Sequence, residues 1–224
     1  MCGRFTLTMA LDDLREAFPE FTFPPTYAPR YNIAPTQPIL AIPNDGRAAV
    51  DLFLWGLIPS WAKDPTIGNR LINARSETLT EKPSFRGPLR YKRCLILADG
   101  FYEWQSRPGV KTKQPYYIFL KDHRLFAFAG LWDEWHAPNG GVIRSATIIT
   151  TTPNALLEPI HNRMPVILHP SDYTQWIDPS PQHPEHLLPL LRPYPAEEML
   201  AHPVSPQVNS PAIDHPDLIR PLAY

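Results

Sequence analysis

Proline constrains this chain more than any other feature. Twenty-nine prolines are spread over 224 residues, more than twice the usual share of about 5%. Each fixes φ and removes a backbone donor, so few long, uninterrupted helices or central strands fit between them. They are enriched near both ends, at Phe23-Pro24-Pro25 and from Pro179 to Pro221. The pattern reads as a loop-rich domain with rigid connections, one domain over residues 1–224. The stretch Asp178–Tyr194 reads as a peripheral insertion, and there is no internal repeat.

Between the prolines the periodicity predicts a helix over Met9–Phe18, with Thr8 as N-cap and Leu11, Leu14 and Phe18 on one face. Short runs rich in β-branched and aromatic residues predict strands at Ile39–Ile42, Val50–Trp55, Cys94–Ala98, Tyr116–Leu120, Phe126–Leu131 and Ile143–Thr151. Short helices are expected at Asn154–Glu158, Ser171–Ile177, Pro184–Leu191 and Ala196–Leu200. Bunched strands without βαβ alternation point to an α+β fold, a mostly antiparallel sheet curled towards a barrel and flanked by short helices.

Composition narrows the function. Hydrophobic residues make up 43% and charged residues 19%, which is globular. No apolar run reaches the roughly 18 residues of a membrane span, and no signal peptide opens the chain, so a cytoplasmic protein is expected. Cys2 and Cys94 alone give neither a disulfide framework nor a Cys-rich zinc site. No phosphate-cradling glycine pattern, His-Glu-x-x-His or Cys-x-x-Cys occurs, so no cofactor and no metal are expected. A net charge of −1 excludes a uniformly basic nucleic-acid surface. Arg86, Arg90, Lys92, Arg93, Arg107, Lys111 and Lys113 face only Asp99 and Glu103, however, a local basic face sufficient for a short phosphate contact.

Chemistry concentrates at the start. Cys2 follows Met1 directly, and a small second residue permits removal of the initiator. The mature chain would then begin with a 1,2-aminothiol, its amine titrating at roughly 7.7–8.0 and its thiol at about 8.5. An aldehyde meeting this pair forms a Schiff base with the amine, and the thiol closes on the imine to give a thiazolidine. Other polar residues sit where packing would not put them. Asn73 and Arg75 share one face of an extended segment. Glu103 lies among aromatics in Phe101-Tyr102-Glu103-Trp104, a setting that raises a carboxyl pKa. His161 is held between Pro159 and Pro165.

These residues lie in motifs that resemble the SRAP family, whose members shield abasic sites in single-stranded DNA. The resemblance runs over nearly the whole chain: Met1-Cys2-Gly3-Arg4-Phe5, Arg30-Tyr31-Asn32-Ile33-Ala34-Pro35-Thr36, Trp55-Gly56-Leu57-Ile58-Pro59-Ser60-Trp61, Ile72-Asn73-Ala74-Arg75-Ser76-Glu77-Thr78, Ala98-Asp99-Gly100-Phe101-Tyr102-Glu103-Trp104, Ile160-His161-Asn162-Arg163-Met164-Pro165 and His202-Pro203-Val204-Ser205. Leu97 departs from it, where the family has Pro. The resemblance implies that Cys2 bonds covalently to the abasic aldehyde as a thiazolidine, with Asn73 positioning, Glu103 moving protons and His161 assisting sugar opening. It implies Arg4, Arg75 and Arg163 on phosphates, Thr150 as a further phosphate contact, and Trp61 and Pro35 against neighbouring bases. A monomer acting on single-stranded DNA follows. Two rival readings remain: an N-terminal-nucleophile peptidase, with Cys2 activated by its own amine or by His161, and a non-covalent single-strand binder.

Overall fold

The structure is a computed structural model that describes residues 2–222. Twelve strands form among them: β1 (Phe5–Leu7), β2 (Arg30–Ile33), β3 (Pro38–Pro43), β4 (Asp51–Trp55), β5 (Asn73–Arg75), β6 (Arg93–Ala98), β7 (Gly100–Gln105), β8 (Gln114–Leu120), β9 (Phe126–His136), β10 (Val142–Thr151), β11 (Met164–Pro165) and β12 (Met199–Pro203). One sheet runs β12-β8-β7-β1-β2, antiparallel throughout. In the other, β4, β3, β6, β9 and β10 close on themselves, because β10 pairs antiparallel with β9 and parallel with β4. Closure removes the sheet edges. The expected α+β fold with a curled, mostly antiparallel sheet is therefore what forms.

Sheet and barrel share one apolar core. Phe5 of β1 packs edge-on against Trp55 at 5.1 Å and Phe128 at 5.7 Å, and Phe101 meets Phe128 at 6.0 Å. β6 is buried along its whole length, including Leu97, which pairs with Ala127. The barrel is interrupted at one place. β10 pairs with β9 up to Ile148, then with β11 at Thr150 and Thr151. Val166 donates to Ile149 O (2.8 Å) and Ala129 donates to Val166 O (2.9 Å). Residues 164–167 thus wedge between β9 and β10 and hold His161–Arg163 at the mouth of the wedge.

The helices are α1 (Leu11–Ala17), α2 (Pro83–Tyr91), α3 (Tyr173–Trp176) and α4 (Pro184–Leu187). α1 starts later than expected, and Thr8 does not cap it: its N–H and hydroxyl both donate to the Asp99 carboxylate (2.5 and 2.7 Å). α2 was hidden by its own Gly87 and Pro88. Residues 155–160 form turns, not a helix. Ala196–Glu198 is a single 3-10 turn, after which Met199–Pro203 pairs with β8 as a strand. Asp178–Tyr194 is no peripheral insertion: Leu187, Leu190, Leu191 and Tyr194 are buried, and the Asp178 carbonyl accepts from buried Arg93 (2.6 Å).

Candidate active site

The antiparallel pairing of β1 with β7 sets Phe5 opposite Phe101, and Tyr102 N–H donates to Arg4 O at 3.0 Å. Continuing that register towards the N-terminus brings Cys2 to the level of Glu103 and Trp104. Cys2 has no exposed surface. Its carbonyl accepts from Asn73 Nδ2 at 2.8 Å, and Asn73 opens β5, which lies parallel to β10. The sheet therefore supplies Cys2 and Glu103, while the barrel side supplies Asn73. The wedge supplies the fourth group: His161 Nε2 stands 3.8 Å from Glu103 Oε2. Two neighbours hold its loop. Gln105, two residues beyond Glu103, donates to Pro159 O at 3.0 Å, and Asn154 Oδ1 caps Leu157 N–H at 3.0 Å.

Burial sets the electrostatics. Glu103 is 2% exposed, and desolvation pushes its carboxyl up to about 7. Burial also drives the Cys2 thiol well above the usual range, and the Glu103 charge adds to the rise. His161 is lowered, first by burial, with the Lys113 and Arg163 charges acting the same way. His161 Nδ1 lies within hydrogen-bond reach of both the Arg163 N–H (3.1 Å) and the Arg163 carbonyl (3.2 Å), which turns Nε2 towards Glu103. Asn73 Oδ1 is buried with no hydrogen-bond partner among the described residues. A buried acceptor without a donor is costly and marks a place where a ligand donor fits.

The arginines divide. Arg163 grips Glu77 with two bonds (2.6 and 2.9 Å) and donates to Thr150 O at 2.7 Å. That ion pair holds the Glu77 carboxyl below its ordinary value. Glu77 was not singled out in the sequence; its signal is a carboxylate two residues beyond Arg75 in the same motif. Thr150 is fully buried with its Oγ1 3.4 Å from Arg163, so it supports Arg163 and is not presented to a phosphate. Arg4 bonds Asn32 Oδ1 (3.1 Å), Val208 O (2.5 Å) and Asn209 O (3.3 Å), which ties it down as a half-buried strut. Arg75 is exposed.

Trp61 is 59% exposed although its loop is anchored on both sides. Ile58 and Ser60 N–H donate to Ser145 Oγ and Asp133 Oδ2 (2.7 Å each), and Trp135 Nε1 donates to Ala62 O at 2.7 Å. A rigid loop presenting an indole to water is a stacking platform in form. Pro35 is half-buried beside Thr36, a non-glycine residue in the left-handed region at φ 68°. No group of three His, Cys, Asp or Glu side chains among the described residues is placed to hold a metal. Met1, on whose removal the aminothiol depends, lies outside the described residues.

Comparison with known proteins places the chain in a family. The SRAP family profile, described as SOS response associated peptidase, matches residues 1–211. The "abasic site processing protein YoqW" of Bacillus subtilis is 53% identical over 223 residues, 98% of this chain and 99% of that protein. The "abasic site processing protein HMCES" of Gallus gallus is 35% identical over 266 residues, covering 99% of this chain and 78% of that one. A crystal structure of a protein from Bacteroides thetaiotaomicron superposes with a TM-score of 0.89 at 28% identity, covering 99% of this chain and all of that one. The chain thus belongs to the SRAP family.

Proposed function

We propose that this protein captures abasic sites in single-stranded DNA by condensing its N-terminal Cys2, once Met1 is gone, with the open-chain sugar aldehyde. The observation that carries the reading is the convergence of Asn73, Glu103 and His161 on the chain's start: Asn73 fixes the Cys2 carbonyl, and Glu103 and His161 stand 3.8 Å apart beside it. The amine attacks C1′ and loses one water to give the imine. The thiol then adds to the imine carbon, its proton ending on the ring nitrogen. Glu103, with a carboxyl titrating near 7, both gives and takes protons at neutral pH. Neutral His161 donates from Nε2 to the sugar oxygen during opening, and Asn73 Oδ1 accepts from the bound sugar or the amine. Arg75 and Arg163 hold phosphates, Arg4 braces the strand that carries Cys2, and Trp61 with Pro35 supports the flanking bases. One chain supplies every group, so a monomer suffices.

The peptidase reading needs a thiolate, activated by the chain's own amine or by His161. The Cys2 thiol is instead raised by burial, and His161 faces Glu103. A low-pKa, accessible cysteine is what a thiol nucleophile of that kind requires.

Intact mass spectrometry with a single-stranded oligonucleotide carrying one abasic site tests the proposal. The expected product is the Met1-free protein plus the strand minus one water. Cys2→Ala keeps an α-amine but cannot close the ring, so it forms the imine, allows β-elimination and yields cleaved strand with little lasting adduct. A durable adduct of Cys2→Ala, or one on chains that retain Met1, overturns the mechanism.

A further inference from the structure

The basic run from Arg86 to Lys113 is not one uniform face. Arg93 is fully buried and spends its guanidinium on the carbonyls of Trp176, Leu89, Arg90 and Asp178. Lys92 is paired with Asp133 at 2.6 Å. Arg107, Lys111 and Lys113 are exposed in the loop between β7 and β8, and the other two exposed cations, Arg86 and Arg90, sit on α2. Arg86 and Arg90 are four residues apart and thus on one helix face, about 6 Å apart along the axis, and neither enters an ion pair among the described residues. The helix contains no acidic residue. At its end Tyr91 is 51% exposed, and Arg90 lies 5.6 Å from the centre of its ring.

Two adjoining depressions run along this helix and share Gly87 and Tyr91. One, about 170 Å³, is lined by Ser60, Lys92 and Asp133; the other, about 360 Å³, by Thr80, Arg86 and Arg90. Ser60 is the chain neighbour of exposed Trp61, and Thr80 follows five residues after Arg75. The groove therefore begins where the candidate DNA contacts stop. Its carboxylate, Asp133, is already neutralised by Lys92, so the free charge along it is positive.

We propose that this groove carries the single strand onward from Trp61, on one side of the lesion. Tyr91 is a second stacking platform, and Arg86 and Arg90 bind two successive backbone phosphates. The proposal rests on single-stranded DNA being the substrate. An aromatic platform flanked by cations suits a single strand of any sequence, because every base has a π-face and every nucleotide a phosphate. A duplex offers no unstacked base for Tyr91.

Reversible binding to strands carrying a tetrahydrofuran lesion, which has no aldehyde, reads the groove independently of crosslinking. Extending the strand from about two to about eight nucleotides on one side of the lesion tightens wild-type binding roughly tenfold, and the same extension on the other side does not. Tyr91→Ala loses that gain, while Tyr91→Phe keeps it. Arg86→Ala with Arg90→Ala lowers the log–log salt slope by about 1.4, two phosphates at about 0.7 each for a single strand. These exposed substitutions leave the melting temperature and the crosslinking of the short strand unchanged. No gain on extension at either side, or a gain that survives Tyr91→Ala, overturns the proposal. If wild type forms no adduct with a true abasic strand yet the extension gain depends on Tyr91, the capture chemistry fails and the groove stands.

Discussion

Glu103 is a carboxyl buried against the interest of the fold. Its folded pKa of about 7 lies above the roughly 4.3 of an unfolded chain, so the native state binds more protons between those values. Stability then falls as pH rises through that window, and the full cost of the buried charge is present above about 7. Glu103→Gln removes the charge and keeps the shape. The variant should melt several degrees above wild type at pH 8 and level with it near pH 4, while crosslinking drops at both. Paired thermal melts and adduct assays at the two pH values check this; a wild-type advantage at pH 8 contradicts a burial-driven shift. The burial of Glu103 and the rise of its pKa were legible in its aromatic neighbours Phe101, Tyr102 and Trp104. Glu77 and the strut role of Arg4 were not legible, because each depends on a partner 86 or 204 residues away.

At the scale of elements, the loop that presents Trp61 depends on two glycines. Gly56 has φ 128°, and a Cβ there would lie 2.6 Å from Gly68 O; a Cβ on Gly68 would lie 2.7 Å from Gly56 O. The two backbones pass where no side chain fits, which lets Leu57 N–H reach Leu71 O at 3.1 Å just ahead of Asn73. Gly56→Ala should cost about 2 kcal/mol or more, a fall in melting temperature of roughly 4–8 °C by calorimetry, and it should weaken single-strand binding. An unchanged melting temperature means the loop yields freely. Such pairings also explain which elements the sequence concealed. Residues 196–200 carry helix formers, yet Met199–Pro203 extends because β8 offers an open edge. β1 and β5, three residues each, are too short for any periodicity and exist through their partners. The long buried runs in β6, β9 and β10 were legible because burial is written in their composition.

For the molecule as a whole, the ends of the chain are fastened to each other. Arg4 and Asn32 bond the carbonyls of Val208, Asn209, Ser210 and Ile213, so the segment after β12 latches the strand that bears Cys2. Native-state hydrogen exchange should therefore show the amides of β1 and of Val208 opening with one common free energy, and Arg4→Ala should lower both together. Loss of protection at Val208 with β1 unaffected contradicts the coupling. The latch also sets an order in time. Cys2 is made ahead of Asn73, Glu103, His161 and finally Val208, the last some 10–40 s later at ordinary rates of synthesis. Until Val208 is in place the Cys2 segment lacks the partners that bury it, so the last-made part of the latch is what closes Cys2 off from its surroundings.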